Sequence, residues 1–262
     1  MLSANLFKFL NFGHLFRLME KIISYPVSAL FYICFGLCLV IFHPIQWICF
    51  NLIGYQAHKK SVDWLNMFLV WCTYILGTRY QFRHRGRIPN DVPLIIAANH
   101  QSMYDIIAII WFLRAHHPKF VSKAELGKGI PSVSYNLRHG GSVLIDRKDP
   151  KQAIPVIGGF GKYLEKYRRS GVIFPEGTRS KDGRPKEFQQ TGLKILCKAA
   201  PSAYVVPLTI NNSWKMVKFG FFPLGLGNKL VFTVHEPVAV KDHSFEHIMK
   251  YTESSIKSAI SN

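Results

Sequence analysis

Apolar positions follow two regimes along this chain. From Ile22 to Ala57 there is no Asp, Glu, Lys or Arg, and only His43 in this 36-residue run can carry charge. As one straight helix the run would rise about 54 Å, well beyond the roughly 30 Å hydrocarbon core of a bilayer. Pro44 is expected to kink or divide it. A second uncharged run, Trp64 to Thr78, has 15 residues. That is marginal for a crossing, so an interfacial or re-entrant helix is equally consistent. The polar segment His58–Asp63 joins the two runs. The pattern predicts a membrane-anchoring helical hairpin over residues 1–78. A pair of buried core helices is the alternative.

From residue 79 to 262 the pattern changes to short apolar runs separated by turn signals and helical stretches. Strands are predicted at Leu94–Ala98, Phe120–Ser122, Ser142–Ile145, Gly171–Phe174, Tyr204–Leu208 and Leu230–Val234. Helices are predicted at Tyr104–Ala115, Ile154–Tyr167, Thr191–Ala200 and Ser244–Ala259. Strands alternating with helices define an α/β domain: a mixed, largely parallel sheet flanked by helices and preceded by the hairpin. In such sheets ligands gather where strands end and loops begin.

Charge narrows the partners. Lys and Arg number 33 against 15 Asp and Glu, a formal charge of +18. Such a balance calls for an acidic partner, either nucleic acid or an anionic membrane surface. With 48% hydrophobic residues the membrane is favoured, and no nucleic-acid motif accompanies the charge. Lys8, Arg17 and Lys21 precede the hairpin, and Arg79, Arg83, Arg85 and Arg87 follow it. If both arms crossed, these clusters would share the cytoplasmic side. If the hairpin only dips in, they would meet anionic head groups. Either arrangement puts the C-terminal domain on the cytoplasmic face of the cell membrane. The five cysteines form no Cys-x-x-Cys pair, so neither a zinc site nor a disulfide framework is indicated, and no metal is implied.

Two polar motifs follow apolar runs. In Asn99-His100-Gln101-Ser102-Met103-Tyr104-Asp105, a histidine stands five residues before an aspartate that falls in the first turn of a predicted helix. There the helix dipole favours its negative charge. A carboxylate folded back onto one ring nitrogen would fix the tautomer and leave the other nitrogen as a base. The alternative is a capping or core histidine beside an ordinary helix-start acid. In Phe174-Pro175-Glu176-Gly177-Thr178-Arg179-Ser180, Gly177 permits close backbone approach, and Arg179 can grip a phosphate bidentately. The N–H groups of Gly177 and Thr178 are candidates for an oxyanion. Glu176 is expected to hold a hydroxyl or to fix Arg179. A solvated turn with a local Glu–Arg pair is the alternative. Lys123 and Arg147 each end a predicted strand and are candidates for the same site. Gly-x-Ser-x-Gly, His-Glu-x-x-His and the Gly-x-x-x-x-Gly-Lys phosphate loop are all absent. The base is therefore aimed at a substrate hydroxyl rather than one of the protein.

These blocks carry a resemblance. Asn-His-Gln-Ser-Met-Tyr-Asp, then Gly141–Arg147, then Phe-Pro-Glu-Gly-Thr-Arg-Ser, then Val205-Val206-Pro207-Leu208 resemble, in order, the four blocks of the glycerolipid acyltransferase family. The nearest branch is the bacterial-type 1-acylglycerol-3-phosphate acyltransferases, and the likeness covers roughly residues 79–240. It implies acyl transfer from acyl-CoA or acyl carrier protein to the sn-2 hydroxyl of lysophosphatidic acid, giving phosphatidic acid without an acyl-enzyme or a cofactor. In that scheme His100 is the base and Asp105 orients it. Lys123, Arg147 and Arg179 would bind the glycerol phosphate, while Glu176, Gly177, Thr178 and Pro207 would shape the acceptor site. A relative acting on another lysolipid or glycerol 3-phosphate, and a non-catalytic basic membrane-binding protein, remain the alternatives.

Overall fold

The computed structural model describes residues 2–261, with side chains from Arg17 onward; the side chain of Lys8 lies outside this range. The helices are α1 (Leu2–Ile48), α2 (Tyr55–Ile75), α3 (Tyr104–Phe112), α4 (Val133–His139), α5 (Pro150–Tyr167), α6 (Gln190–Ala199) and α7 (Phe245–Ser258). The strands are β1 (Arg79–His84), β2 (Leu94–Ala98), β3 (Pro118–Lys123), β4 (Val143–Ile145), β5 (Ser170–Ile173), β6 (Tyr204–Asn211), β7 (Lys229–Val234) and β8 (Val238–Ala239). They form one sheet in the order β1-β7-β6-β2-β5-β3-β4, with β8 beside β6. Only the β6–β7 and β6–β8 pairings are antiparallel. The mixed, largely parallel α/β fold expected from the sequence is the one observed.

Strand β2 is buried on both faces, as a central parallel strand must be. Leu94, Ile96 and Ala98 face one core with α2 and α3, while Ile95 and Ala97 face the other with α5, α6 and α7. Helix boundaries follow local chemistry. The Asp149 carboxylate accepts the N–H groups of Lys151 and Gln152 at 3.0 and 3.2 Å, with Pro150 opening α5. Ser244 caps α7 by accepting the His247 N–H at 3.2 Å. Helix α3 stops at Phe112, short of the expected Ala115, where a 3₁₀ turn at Arg114–His116 takes over.

The N-terminal helices correct two expectations and refine a third. Pro44 does not divide the first run: α1 is continuous to Ile48 and extends as a π-turn through Ile53. Neighbouring packing can re-satisfy a proline's freed carbonyl in such helices. The reversal falls at Gly54, whose φ of 114° suits glycine. It does not fall at His58–Asp63, which lies inside α2 and carries the i,i+4 pair Lys59–Asp63 at 2.5 Å. Finally, α2 packs one face into the core and leaves Trp64, Trp71 and Tyr74 exposed on the other. Its Val62, Leu65, Leu69, Val70 and Cys72 belong to the core on the sheet face.

Helix α1 differs. One stripe, including Ser24, Ser28, Phe31 and Gln46, is buried against the domain. Contacts run along its length: Glu20 with Lys218 (2.6 Å), Ser28 with the Leu224 N–H (2.8 Å), Leu39 with Ser132 (2.6 Å) and Asn51 with Tyr135 (2.8 Å). The other face exposes Ile22, Leu30, Ile33, Leu37, Val40, Ile41 and Trp47. An apolar stripe this long on a soluble surface marks an interaction with lipid or protein. The helix is apolar and long enough for membrane association, and it is held lengthwise against the sheet's helical layer.

The last difference is β1. Its arginines read as a membrane flank in the sequence. In the structure Tyr80 and Phe82 turn inward, and Phe82 stacks on Phe232 at 4.7 Å, while Arg79 and Arg83 are exposed. This is the period-two alternation of an edge strand.

Candidate active site

Parallel pairing sets Ala97 beside Ile173, so the loops leaving β2 and β5 emerge together at the C-terminal edge. Asn99 fixes the first loop. Its Nδ2 donates to the Ile210 carbonyl (2.8 Å), and its carbonyl accepts the Ile210 N–H (2.7 Å). The next residue, His100, lays its ring on Phe174, with centroids 4.0 Å apart and planes 16° from parallel.

His100 Nδ1 lies 2.9 Å from Asp105 Oδ2. The Asp105 side chain is fully buried, yet its carboxylate is satisfied. Gln101 and Ser102 donate backbone N–H groups to Oδ2 at 2.8 and 3.0 Å, and Ser102 Oγ donates to Oδ1 at 3.3 Å. These three donors fix the orientation of the carboxylate. A carboxylate acceptor calls for the Nδ1–H tautomer, leaving Nε2 a lone pair. The His100 side chain is 14% exposed, so the ring is held but reachable.

Glu176 sits beneath this pair and ties two loops together. Oε1 accepts the His100 N–H and Oε2 the Lys186 N–H, both at 3.1 Å. Both oxygens are taken by main chain, and Glu176 does not fix Arg179. It ties the β2 loop to the segment after the Glu-Gly-Thr-Arg turn, and burial pushes its carboxyl above the usual range. The Ser180 N–H completes the tie by donating to the His100 carbonyl at 2.7 Å.

Gly177 takes φ +67°, as a tight turn requires. Its N–H donates to the Phe174 carbonyl at 3.0 Å, so it is not a free oxyanion donor, contrary to expectation. Its carbonyl accepts from Arg147 Nη1. Arg147 thus braces the turn, and burial lowers its pKa. Thr178, Arg179 and Lys123 lie at the same edge and are exposed. Among the described residues no carboxylate pairs with Arg179. The structure thus brings His100, Asp105, Glu176, Gly177 and Arg147 into one contact network, with Lys123, Thr178 and Arg179 on its rim. Sequence reasoning missed Asn99, Phe174 and Lys186. Asn99 and Phe174 open the two motifs but were given no role, and Lys186 left no signal. Chemically, the network presents an oriented imidazole beside a rim of cations.

The stretch from the start of β1 to the end of β6 carries every one of these predicted site residues. It is also the stretch, residues 79–211, that matches the model of the Acyltransferase family. This is half of the chain, and the chain belongs to that family. A 1-acyl-sn-glycerol-3-phosphate acyltransferase of Helicobacter pylori is 36% identical over 125 residues, 47% of this chain and 50% of that protein. A chloroplastic enzyme of the same name from Arabidopsis thaliana is 30% identical over 173 residues, 64% of this chain and 47% of its own. The chain thus spans about half the length of these relatives. The crystal structure of the 1-acyl-sn-glycerophosphate acyltransferase PlsC from Thermotoga maritima superposes with a TM-score of 0.76 at 26% identity, covering 91% of this chain and 95% of that one.

Proposed function

We propose that this protein transfers a fatty acyl group from acyl-CoA or acyl carrier protein to the sn-2 hydroxyl of 1-acyl-sn-glycerol 3-phosphate, giving phosphatidic acid. The observation that carries the reading is the His100–Asp105 pair, with Nδ1 held at 2.9 Å and the ring edge exposed at the rim of the sheet. The names of the relatives supply the substrate class. His100 Nε2 takes the proton of the sn-2 hydroxyl as the oxygen attacks the thioester carbonyl. A C–O bond forms and the C–S bond breaks. The departing thiolate then receives the proton from His100. Asp105 stabilises the imidazolium that forms in between. Arg179 and Lys123 bind the glycerol phosphate, and Arg147, through Gly177, holds the turn that presents Arg179.

Residues 1–78 serve as the membrane anchor and residues 79–262 carry the chemistry, with α2 also covering the sheet. Because α1 is held along the domain from Glu20 to Asn51, it lies in the plane of one leaflet on its exposed apolar face. The acceptor then reaches His100 from the same leaflet, on the cytoplasmic side. The test is the purified full chain with labelled acyl-CoA or acyl carrier protein, offered a panel of lysolipids and glycerol 3-phosphate. Transfer confined to lysophosphatidic acid is expected. Preference for another acceptor would overturn the substrate assignment, and no transfer to any acceptor would overturn the activity.

A further inference from the structure

The opposite, N-terminal edge of the sheet holds a cluster that acyl transfer does not use. Lys119, on β3, is 7% exposed. Its ammonium lies 5.3 Å from the Tyr55 ring centroid, and no acceptor is hydrogen-bonded to it among the described residues. The nearby carboxylate, Asp63, is already paired with Lys59 at 2.5 Å. Arg169 stacks its guanidinium over Tyr55 at 4.3 Å and donates Nη1 to the Tyr55 hydroxyl and, at 2.8 Å, to His117 Nδ1. Its Nε is buried with no partner. Three cations, Lys59, Lys119 and Arg169, thus share one carboxylate. A buried charge is either paired or relieved by proton loss, and a bound anion would pair the cations left over here.

A cavity of about 510 Å³ meets the cluster at Arg169 and His117, which line it together with Arg168 and Asp91, while Lys119 stands behind Arg169 and does not line it. Its size falls in the range of small-molecule sites. Backbone conformation supplies an independent sign. Among the described residues five non-glycines have positive φ, and three of them, Asp91 (57°), His117 (50°) and Arg168 (50°), line this cavity. His117 and Arg168 cap helix ends, where glycine is the usual choice. Keeping side chains there costs backbone strain, which points to a role for the side chains.

We propose that Lys119, Arg169 and the adjoining cavity form a second anion site, which takes a phosphate group. It stands at the far end of β2 from His100, about 17 Å away at the rise of a five-residue strand, and is separate from the proposed acceptor site. A cation–π staple holding α2 to the sheet explains Tyr55 and the place of Lys119, but not the unpartnered Arg169 Nε or the cavity. Burial, with Arg169 and Lys59 outweighing Asp63, holds Lys119 at about 7. Burial and the neighbouring cations keep His117 neutral, at about 4, so it can accept from Arg169. Phosphate binding above the Lys119 value therefore recruits a proton to Lys119. The phosphate source is either a soluble ester or a lipid head group. The exposed Trp47, Ile48, Leu52 and Ile53 lead into this edge and bring it to the membrane interface.

The test is calorimetry of inorganic phosphate with the full chain in nonionic detergent, one pH unit above the Lys119 value, in two buffers of different ionisation enthalpy. Arg179→Ala serves as background to remove the proposed acceptor contact. Saturable binding with uptake of close to one proton is expected to survive in that background. Adding Lys119→Met should weaken it about tenfold and abolish the uptake. Arg168→Gly relieves a strained cap, so it should fold, raise Tm and still weaken binding. No saturable binding in Arg179→Ala, or affinity unchanged by both added substitutions, overturns the proposal. Flotation on phosphatidylcholine vesicles with and without phosphatidic acid separates the sources. A Lys119→Met loss confined to phosphatidic acid vesicles assigns the lipid head group, and unchanged flotation assigns a soluble ester.

Discussion

The His100 and Asp105 side chains meet at 2.9 Å although the aspartate is fully buried and the histidine is not. The buried partner is held by two backbone N–H groups and a hydroxyl, so the exposed partner has one ring orientation. Replacing His100 by Ala should lower kcat by about 10²–10⁴, with membrane association retained. Asp105→Asn should act in the same direction by favouring the wrong tautomer. Turnover by His100→Ala at the wild-type rate would remove the base.

Arg179 reaches solvent without a carboxylate partner among the described residues, so its substitution leaves no buried charge behind. Arg179→Ala should raise KM for the phosphorylated acceptor with a smaller change in kcat, measured by steady-state kinetics. Equal KM in both proteins would take Arg179 out of the phosphate site.

Glu176 links pH to stability. Burial raises its folded pKa above the unfolded value. Its contribution is therefore full below the ordinary glutamate range and is lost as pH rises through the folded value. Glu176→Gln should flatten that decline, read as the difference in urea midpoints between the two proteins from acid to neutral pH. Parallel curves would contradict the assignment.

Lys119 has the opposite sign. Its folded value of about 7 lies below that of an unfolded lysine, so the unfolded chain binds more protons between them and stability rises with pH there. The contribution is complete above the unfolded value and lost as pH falls through about 7. Lys119→Met should remove this rise, checked by the same midpoint comparison in the alkaline range. An identical rise in the variant would show that Lys119 does not titrate as described.

Membrane attachment is tested on α1, not by removing residues 1–78. That deletion would also take α2 and bare the sheet face of Leu94, Ile96 and Ala98. Ile33→Glu with Leu37→Glu alters only the exposed face. It should release the protein from vesicles in flotation while the melting transition persists. Full retention on vesicles would place the anchor elsewhere.

Legibility differed from element to element. The β2 run was plain because both faces are buried, so every residue is apolar. Strand β1 was not, because its alternation of Arg with Tyr and Phe also fits a basic membrane flank. Helix α2 was ambiguous for a physical reason: a helix buried in a core and one buried in lipid select the same side chains. The two motifs were legible as chemistry, but the structural tie made by Glu176 was not. Its partners are backbone N–H groups from His100 and Lys186, and main-chain donors leave no trace in side-chain identity.

The sequence alone determined the α/β class, the long apolar α1, the positive charge and the candidacy of His100 with Asp105, because each depends on residues close in the chain or on composition. Tertiary structure decided what depends on distant segments meeting: the reversal at Gly54, the packing of α2 on the sheet, the seating of His100 on Phe174 and the gathering of Lys119, Arg169 and Tyr55. Those outcomes follow from strand register and close packing, which join residues far apart in the chain and are written in no single stretch of it.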